Sequence, residues 1–399
     1  MKPDGRIRVM EIIARMNVGG PATQILGLYE RLNLEEFDHR LYTGQVEENE
    51  SDRLGVRDGG ARIHRVAGLG RSVRPADDWR ALLRLAAEMR AFRPHIVHTR
   101  TAKAGALGRV AARLARAGSA WHGGRTAHVF HGHLLDGYFS PVKRRLYVMA
   151  ERRLAAMTDH LVTVGAKVRD DLLAAGIGRP GQYVVIPPGV RLGAVPGRED
   201  ARAHLGLPPD APVVAFVGRL TGVKRPDRFV AVARALLARL PGCRFVVCGG
   251  GELTGEVERA AQAVPGAFHL LGWRADVETV YAAADVVLLT SDNEGTPLTL
   301  IEAGMAGTPV VATRVGSVGE VVRHGVTGLL AATDAGELTA HAYRLLTDPA
   351  LARRMGESAR RWTTDSFAVE RLVADTEALY RSLCAAPGRS PSPITRSIT

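Results

Sequence analysis

The chain has 399 residues, 46% apolar and 24% charged, a composition that suits two globular domains of roughly 150–200 residues rather than one core. Its three cysteines, Cys243, Cys248 and Cys384, form no C-x-x-C pair, and no apolar run reaches the ~18 residues of a membrane span, so a zinc module, a disulfide scaffold and an integral membrane protein are disfavoured. The net charge of +12 is lopsided: residues 1–200 hold 32 Lys/Arg against 21 Asp/Glu, and residues 201–399 hold 21 against 20.

The first residues, MKPDGRIRVMEIIARM, carry a short apolar stretch interrupted by Glu11. They read as a first strand rather than a secretory signal, and a cytoplasmic protein is expected. Strand-like runs then alternate with amphipathic helices. The expected strands of the first half are 6–16, 39–43, 62–66, 95–99, 126–131, 161–164 and 183–187, with helices over 76–92, 102–117 and 141–157. Residues 187–212 are rich in Pro and Gly and lack a long apolar period, so they read as a linker. A second alternation follows, with strands over 213–220, 244–248, 268–271, 286–290, 309–313 and 328–330. Its helices are expected over 227–240, 298–306, 335–346 and 350–361. A last helix, 369–385, comes after both sheets are complete.

Such alternation signals parallel α/β sheets with helices on both faces. The expected organisation is a Rossmann-like domain over 1–187, a linker over 188–212 and a second Rossmann-like domain over 213–366. A helix over 367–386 would cross back to the first domain, and a Pro/Ser-rich tail over 387–399 would be disordered. Ligands of doubly wound folds sit beyond the carboxyl ends of the strands, so a cleft between two facing domains is the expected site.

Four segments carry candidate chemistry. The first is Ser291-Asp-Asn-Glu-Gly-Thr-Pro-Leu-Thr-Leu-Ile-Glu302, directly after a strand. Thr296 suits an N-cap and Pro297 the first turn, so a helix amino end with free N–H groups forms an anion site, for which a diphosphate is an obvious occupant. Glu294 lies just outside that helix. Glu302 lies within it among apolar residues, where an ionised carboxylate needs partners, and a ribose diol would supply them. The second segment, Gly218-Arg219-Leu-Thr-Gly-Val-Lys224-Arg225, also follows a strand. Arg219 and Lys224 are placed to reach phosphate, while Arg225 is expected to face solvent. The third, Asn17-Val-Gly19-Gly20-Pro, lets backbone approach a ligand closely before a helix start, although it lacks the G-x-G-x-x-G spacing. In the fourth, His128-Val-Phe-His131-Gly-His133, His131 is taken as the hydrogen-bonding residue at the strand end and His128 as structural, with His133 undecided. Histidines alternating on a strand make a poor zinc set, and no metal residue is assigned.

Together these segments resemble family 4 retaining glycosyltransferases of the GT-B fold, over roughly residues 6–385. The resemblance rests on two glutamates with seven residues between them, the G-R-L-x-x-x-K segment, the early G-G loop and the strand-end His-Gly. It implies transfer of a sugar from a UDP- or GDP-sugar donor to a glycan, lipid-linked or small-molecule hydroxyl, with retained configuration and without metal or cofactor. On that likeness Glu302 binds the donor ribose, Glu294 the transferred sugar, and the N–H groups of Gly295, Thr296, Pro297 and Leu298 (Pro297 having none of its own) the sugar and phosphate. Arg219 and Lys224 hold the diphosphate, approached by Gly19 and Gly20, while His131 contacts the sugar. Trp273 and Arg274 match the segment that touches the base. Thr296 stands where many members carry a larger residue, a departure that bears on donor choice.

Two other readings stay open at this point: a nucleotide-sugar 2-epimerase on the same fold, and a basic nucleic-acid or phospholipid binder that keeps the scaffold. The basic first half would attract an anionic membrane or a phosphorylated acceptor, as would the helix Pro141–Met157. Codon bias is the bland account, since five of the 53 basic residues are Lys. No RNA-binding signature supports nucleic acid.

Overall fold

A computed structural model describes residues 5–17, 19–46, 62–70, 72–117, 121, 124–132 and 140–385. The expected tail at 387–399 and His133 lie outside the described residues. The chain divides into two units, one of residues 1–135, 139–189 and 369–399, the other of residues 136–138 and 190–368.

The first unit is built on seven parallel strands: β1 Ile7–Ile13, β2 Phe37–Thr43, β3 Ile63–Arg65, β4 Ile96–Arg100, β5 Arg125–Phe130, β6 His160–Thr163 and β7 Tyr183–Val185, in the order β3-β2-β1-β4-β5-β6-β7. Its helices are α1 Gly20–Arg31, α2 Pro75–Phe92, α3 Ala102–Arg116, α4 Pro141–Ala156 and α5 Ala166–Ala174. Central strands read as nearly unbroken apolar runs because helices cover both faces, and Val9, Ile12, Ile96 and Val97 are fully buried.

The second unit opens with α6 Arg198–His204 and holds six parallel strands: β8 Val213–Val217, β9 Arg244–Cys248, β10 Phe268–Gly272, β11 Val286–Leu289, β12 Val310–Thr313 and β13 Gly328–Ala331. Their order is β10-β9-β8-β11-β12-β13. The covering helices are α7 Pro226–Leu237, α8 Thr254–Gln262, α9 Val277–Ala283, α10 Leu298–Ala306, α11 Val318–Val321, α12 Ala335–Thr347 and α13 Pro349–Phe367.

Both sheets reverse their strand order once in the middle, at β1/β4 and at β8/β11. In open α/β sheets this switch point leaves a crevice beyond the carboxyl ends of the strands. The loops that follow β8 and β11 therefore hold the best-placed residues of the second unit.

The structure departs from the sequence reading in the stretch 188–212, taken above as a linker. From Val190 onward it belongs to the second unit and contains α6. A seven-residue helix is too short to show a clear apolar period, and its anchor is polar. Arg202 is fully buried, giving Nη2 to Asp285 Oδ2 at 2.9 Å and Nε to the carbonyl of Ala283 at 3.1 Å. The last helix, α14 Val369–Cys384, belongs to the first unit. There Leu379 and Tyr380 are fully buried, the Tyr380 hydroxyl bonds His98 Nδ1 at 2.7 Å, and Arg371 donates to the carbonyls of Pro187 and Pro188 at 2.7 and 2.9 Å.

Candidate active site

In the second unit, the loops after β8 and β11 are laced together. Thr290 Oγ1 donates to the carbonyls of Lys224 and Arg225 at 2.9 and 3.0 Å, and the amide of Asp292 donates to the carbonyl of Val223 at 2.9 Å. Arg225 does not face solvent freely as the sequence suggested. It pairs with Asp292 at 3.0 Å and Asp227 at 2.8 Å, while the buried Arg228 bonds the carbonyl of Thr290 at 2.5 Å and Asp292 at 2.7 Å. Arg225 thus serves to fix the loop, at a left-handed φ of 52° between a short 3-10 turn, Gly222–Lys224, and α7.

The rigid loops place Lys224 Nζ and Ser291 Oγ each 2.5 Å from Glu294 Oε1, and only 8% of the Glu294 side chain is exposed. Gly316 underlies this residue. Its φ is +50°, and a Cβ built there would overlap the carbonyl oxygen of Glu294, inside the 3.0 Å that real Cβ atoms keep. Arg219 is exposed, and its side chain makes no hydrogen bond among the described residues.

Helix α10 spans 298–306 as expected, but its capping residue differs. Pro297, not Thr296, is its N-cap, and no side chain caps it. Pro297 has no polar side-chain atom to offer, and the Leu300 N–H turns back to the Pro297 carbonyl at 3.2 Å, so the N–H groups of Leu298 and Thr299 are the ones open to an external acceptor. Thr299 Oγ1 ties this helix end to the carbonyl of Val217 at the end of β8, at 3.2 Å. One turn on, Glu302 Oε2 accepts the Tyr281 hydroxyl at 2.7 Å. Tyr281 is fully buried, and burial together with the Glu302 charge pushes its pKa well above the usual phenol value, so it remains a donor. Trp273 is half exposed, with its indole against Gly250 beyond β9. Arg274 is engaged, bonding Asp276 at 2.7 and 2.9 Å and His204 at 3.0 Å.

In the first unit, Gly19 caps α1 with extended backbone, φ 168°, and Pro21 follows in the first turn. A Cβ on Gly19 would meet nothing within 4 Å, so the fold itself does not demand glycine there. His131 follows β5, at the carboxyl end of the sheet. Both ring nitrogens are buried without a hydrogen-bond partner among the described residues. Burial, and then the charge of Arg100, hold its pKa well below the usual histidine value, so the ring is neutral near pH 7. A neutral imidazole without a partner is ready to donate to or accept from a ligand hydroxyl. His128 is buried and bonds Thr99 Oγ1 at 2.9 Å, in keeping with a structural role.

The sequence reading missed the network beneath His131. Glu11 is fully buried in mid-β1, 2.5 Å from Arg100 Nε and 2.8 Å from His39 Nε2. Burial works to raise its pKa, but Arg100 and the His39 bond overcome this and hold the carboxyl well below the usual range. Its one visible signal was a lone acid in an apolar strand. Ser291, Tyr281 and Gly316 were also missed, since each gains meaning only from a partner distant in sequence or structure. Among the described residues no group of three or more His, Cys, Asp or Glu side chains could hold a metal ion, and no helix is long and apolar enough to cross a membrane.

Residues 19–189 match the glycosyl transferase 4-like domain, and residues 197–362 match glycosyl transferases group 1. A D-inositol 3-phosphate glycosyltransferase of Actinosynnema mirum is 41% identical over 204 residues, 47% of this chain and 49% of that protein. The chain thus spans about half the length of that relative. An Escherichia coli protein named UDP-Gal:alpha-D-GlcNAc-diphosphoundecaprenol alpha-1,3-galactosyltransferase is 26% identical over 385 residues, 94% of this chain and 97% of the relative. Anabaena HepE, solved in complex with UDP and glucose, shares the fold with a TM-score of 0.78 at 18% identity, over 94% of this chain and all of its own. Two Rossmann-like units, each matched by its own family description, place the chain in the GT-B glycosyltransferases of family 4, group 1.

Proposed function

We propose that the chain transfers a glycosyl group from a UDP-sugar to a hydroxyl of a phosphate-bearing acceptor, with retained anomeric configuration and without a metal ion. The observation that carries this reading is the pair of acids at the β8/β11 switch point, Glu294 held by Lys224 and Ser291, and Glu302 held by Tyr281.

Glu302, oriented by the Tyr281 hydroxyl, accepts from the ribose hydroxyls. The N–H groups of Gly295, Thr296 and Leu298, at the uncapped start of α10, donate to the sugar and to a phosphate oxygen. Trp273 lies beside the base, where the backbone and remaining donors of Arg274 also serve. As the bond between C1 and the phosphate oxygen breaks, its electron pair goes to the diphosphate. Lys224 and the free guanidinium of Arg219 stabilise that charge. The acceptor oxygen bonds C1, and its proton passes to the departing phosphate oxygen. Glu294 orients the sugar hydroxyls and offsets positive charge at C1. In the first unit, His131 hydrogen-bonds a substrate hydroxyl, and Gly19 and Gly20 let a phosphate approach the amino end of α1.

A UDP donor is supported by the E. coli relative's name and by the HepE complex. A phosphate-bearing acceptor is supported by the names of both relatives and by the basic excess of the first 200 residues. Epimerisation finds no support among these matches. The test is UDP release from a panel of UDP- and GDP-sugars with inositol phosphate or a polyprenyl-diphosphate saccharide as acceptor, with and without EDTA. Retained configuration at the product anomeric carbon and undiminished turnover in EDTA are expected. An inverted product, or loss of turnover in EDTA restored by a divalent cation, would refute the respective part.

A further inference from the structure

The opposite end of the first sheet holds a second basic site. Arg125 and His160 are the first residues of β5 and β6, and Arg179 precedes β7, so the three gather at the amino ends of the strands, away from His131. With Arg109, Arg113 and Arg116 of α3 they line a cavity of about 540 Å³ that the carboxyl end of α14 completes. The α3 arginines recur at i, i+4 and i+7, which puts them on one helix face.

Five guanidinium groups in one cavity repel each other unless each is matched, and here they are not. Arg109 is fully buried and bonds both oxygens of Glu151 at 3.0 and 3.2 Å, yet its Nη1 is buried without a partner. Arg125 pairs with Asp159 at 2.9 Å, and Arg116 donates to the carbonyl of Gly124. Arg113 and Arg179 are exposed and have no carboxylate partner among the described residues. His160 adds a second buried nitrogen, Nδ1, without a partner. Of these groups Asp159 hydrogen-bonds Arg125, and its second oxygen accepts the amide and hydroxyl of Thr126 at 2.7 and 2.9 Å; its single charge also acts on Arg116 and His160 and leaves the cluster with a cationic excess. The carboxyl ends of α3, α4 and α14 supply partial negative charge, which complements single cations and leaves the donor forks unfilled. Several arginine forks converging on a concave, polar space match the geometry of phosphate oxygens.

We propose that this cavity binds a multiply charged phosphate-bearing anion, separately from the donor nucleotide. The ligand is either a soluble di- or polyphosphorylated molecule or the headgroup of an anionic phospholipid, which present the same chemistry to the arginines. The site rests on the first unit alone and stands whether or not the proposed transfer reaction is right.

The test uses the full chain with UDP held at saturation to occupy the donor site, and titrates inorganic pyrophosphate by calorimetry. Flotation with phosphatidylglycerol vesicles, against phosphatidylcholine vesicles, is the second arm. The variant is Arg113→Glu with Arg179→Glu, both exposed and without a carboxylate partner in the fold, and Arg113→Gln with Arg179→Gln is the milder control. Saturable pyrophosphate binding that weakens at least ten-fold in the Glu variant, and less in the Gln variant, assigns a soluble ligand. Flotation with phosphatidylglycerol alone, lost in the Glu variant and without pyrophosphate binding, assigns the headgroup. Binding in neither arm, complete displacement of pyrophosphate by UDP, or binding unchanged in the Glu variant would overturn the proposal.

Discussion

Replacing Gly316 by Ala tests how finely Glu294 must be held. The residue has φ +50°, where an L side chain costs about 1–2 kcal/mol. The new Cβ would also overlap the carbonyl oxygen of Glu294, and backbone cannot yield as a flexible side chain does. Restoring contact distance needs a displacement of roughly 1 Å in the loop, a misplacement that costs on the order of 100-fold in rate when a reacting group is involved. The expected result is a kcat for UDP release lowered about 100-fold, with folding stability reduced by about 1–3 kcal/mol in chemical denaturation. UDP affinity should change little, because Glu302 and Tyr281 are not displaced. Gly325→Ala is the control. It has φ +79° with nothing within 4 Å of the added carbon, so it should lose about 1–2 kcal/mol of stability at unchanged kcat. A folded Gly316→Ala protein with kcat within three-fold of the original would refute the view that Glu294 is a positioned catalytic group.

Three further outcomes are expected. Lys224→Met removes the cation 2.5 Å from Glu294 and should lower kcat by about 10²–10³, read as UDP release; a loss under three-fold would remove Lys224 from the chemistry. Tyr281→Phe deletes a buried donor to an ionised Glu302, a bond worth about 1.5–3 kcal/mol, of which the share felt by ligand should raise the UDP Kd and KM about ten-fold with kcat within three-fold; an equal fall in kcat would contradict a ribose-positioning role. The third concerns pH. His98, His128 and His131 all have folded pKa values depressed by burial, His98 to about 3, so the folded state binds fewer protons than the unfolded one. Their contribution to stability is complete above about pH 6.5 and is lost as pH falls toward the folded values. The melting temperature should therefore drop between pH 7 and 5, and His131→Asn should flatten that slope; an unchanged slope would refute the assignment for His131.

Much of this was legible in the sequence because period and punctuation are local. Helix α10 follows β11 as read from Pro297 and the apolar run, and α2, α3 and α4 begin within a residue of expectation. What escaped depends on partners far along the chain. Helix α6 is held by Arg202 on Asp285, 83 residues away, and no apolar period marks it. Tyr281 is one more apolar-looking position in a short helix until Glu302 lies 2.7 Å from its hydroxyl. Glu11 could be seen as an oddity in a strand, but its meaning required Arg100 and His39 on the neighbouring strands. The capping residue shifted from Thr296 to Pro297 because a good capping side chain forms no cap unless the backbone turns at that residue.

The central claim is that the loops closing β8 and β11 grip the nucleotide of the donor. Calorimetric titration of UDP into the Glu302→Ala protein tests it most directly, since that side chain is the one proposed to hold the ribose and it lies on α10, outside the sheet. A Kd at least ten-fold weaker than that of the unaltered protein is expected, with the melting temperature in the absence of UDP lowered only by what the unpaired Tyr281 hydroxyl costs, about 1–3 kcal/mol. A folded Glu302→Ala protein that binds UDP as tightly as before would contradict it.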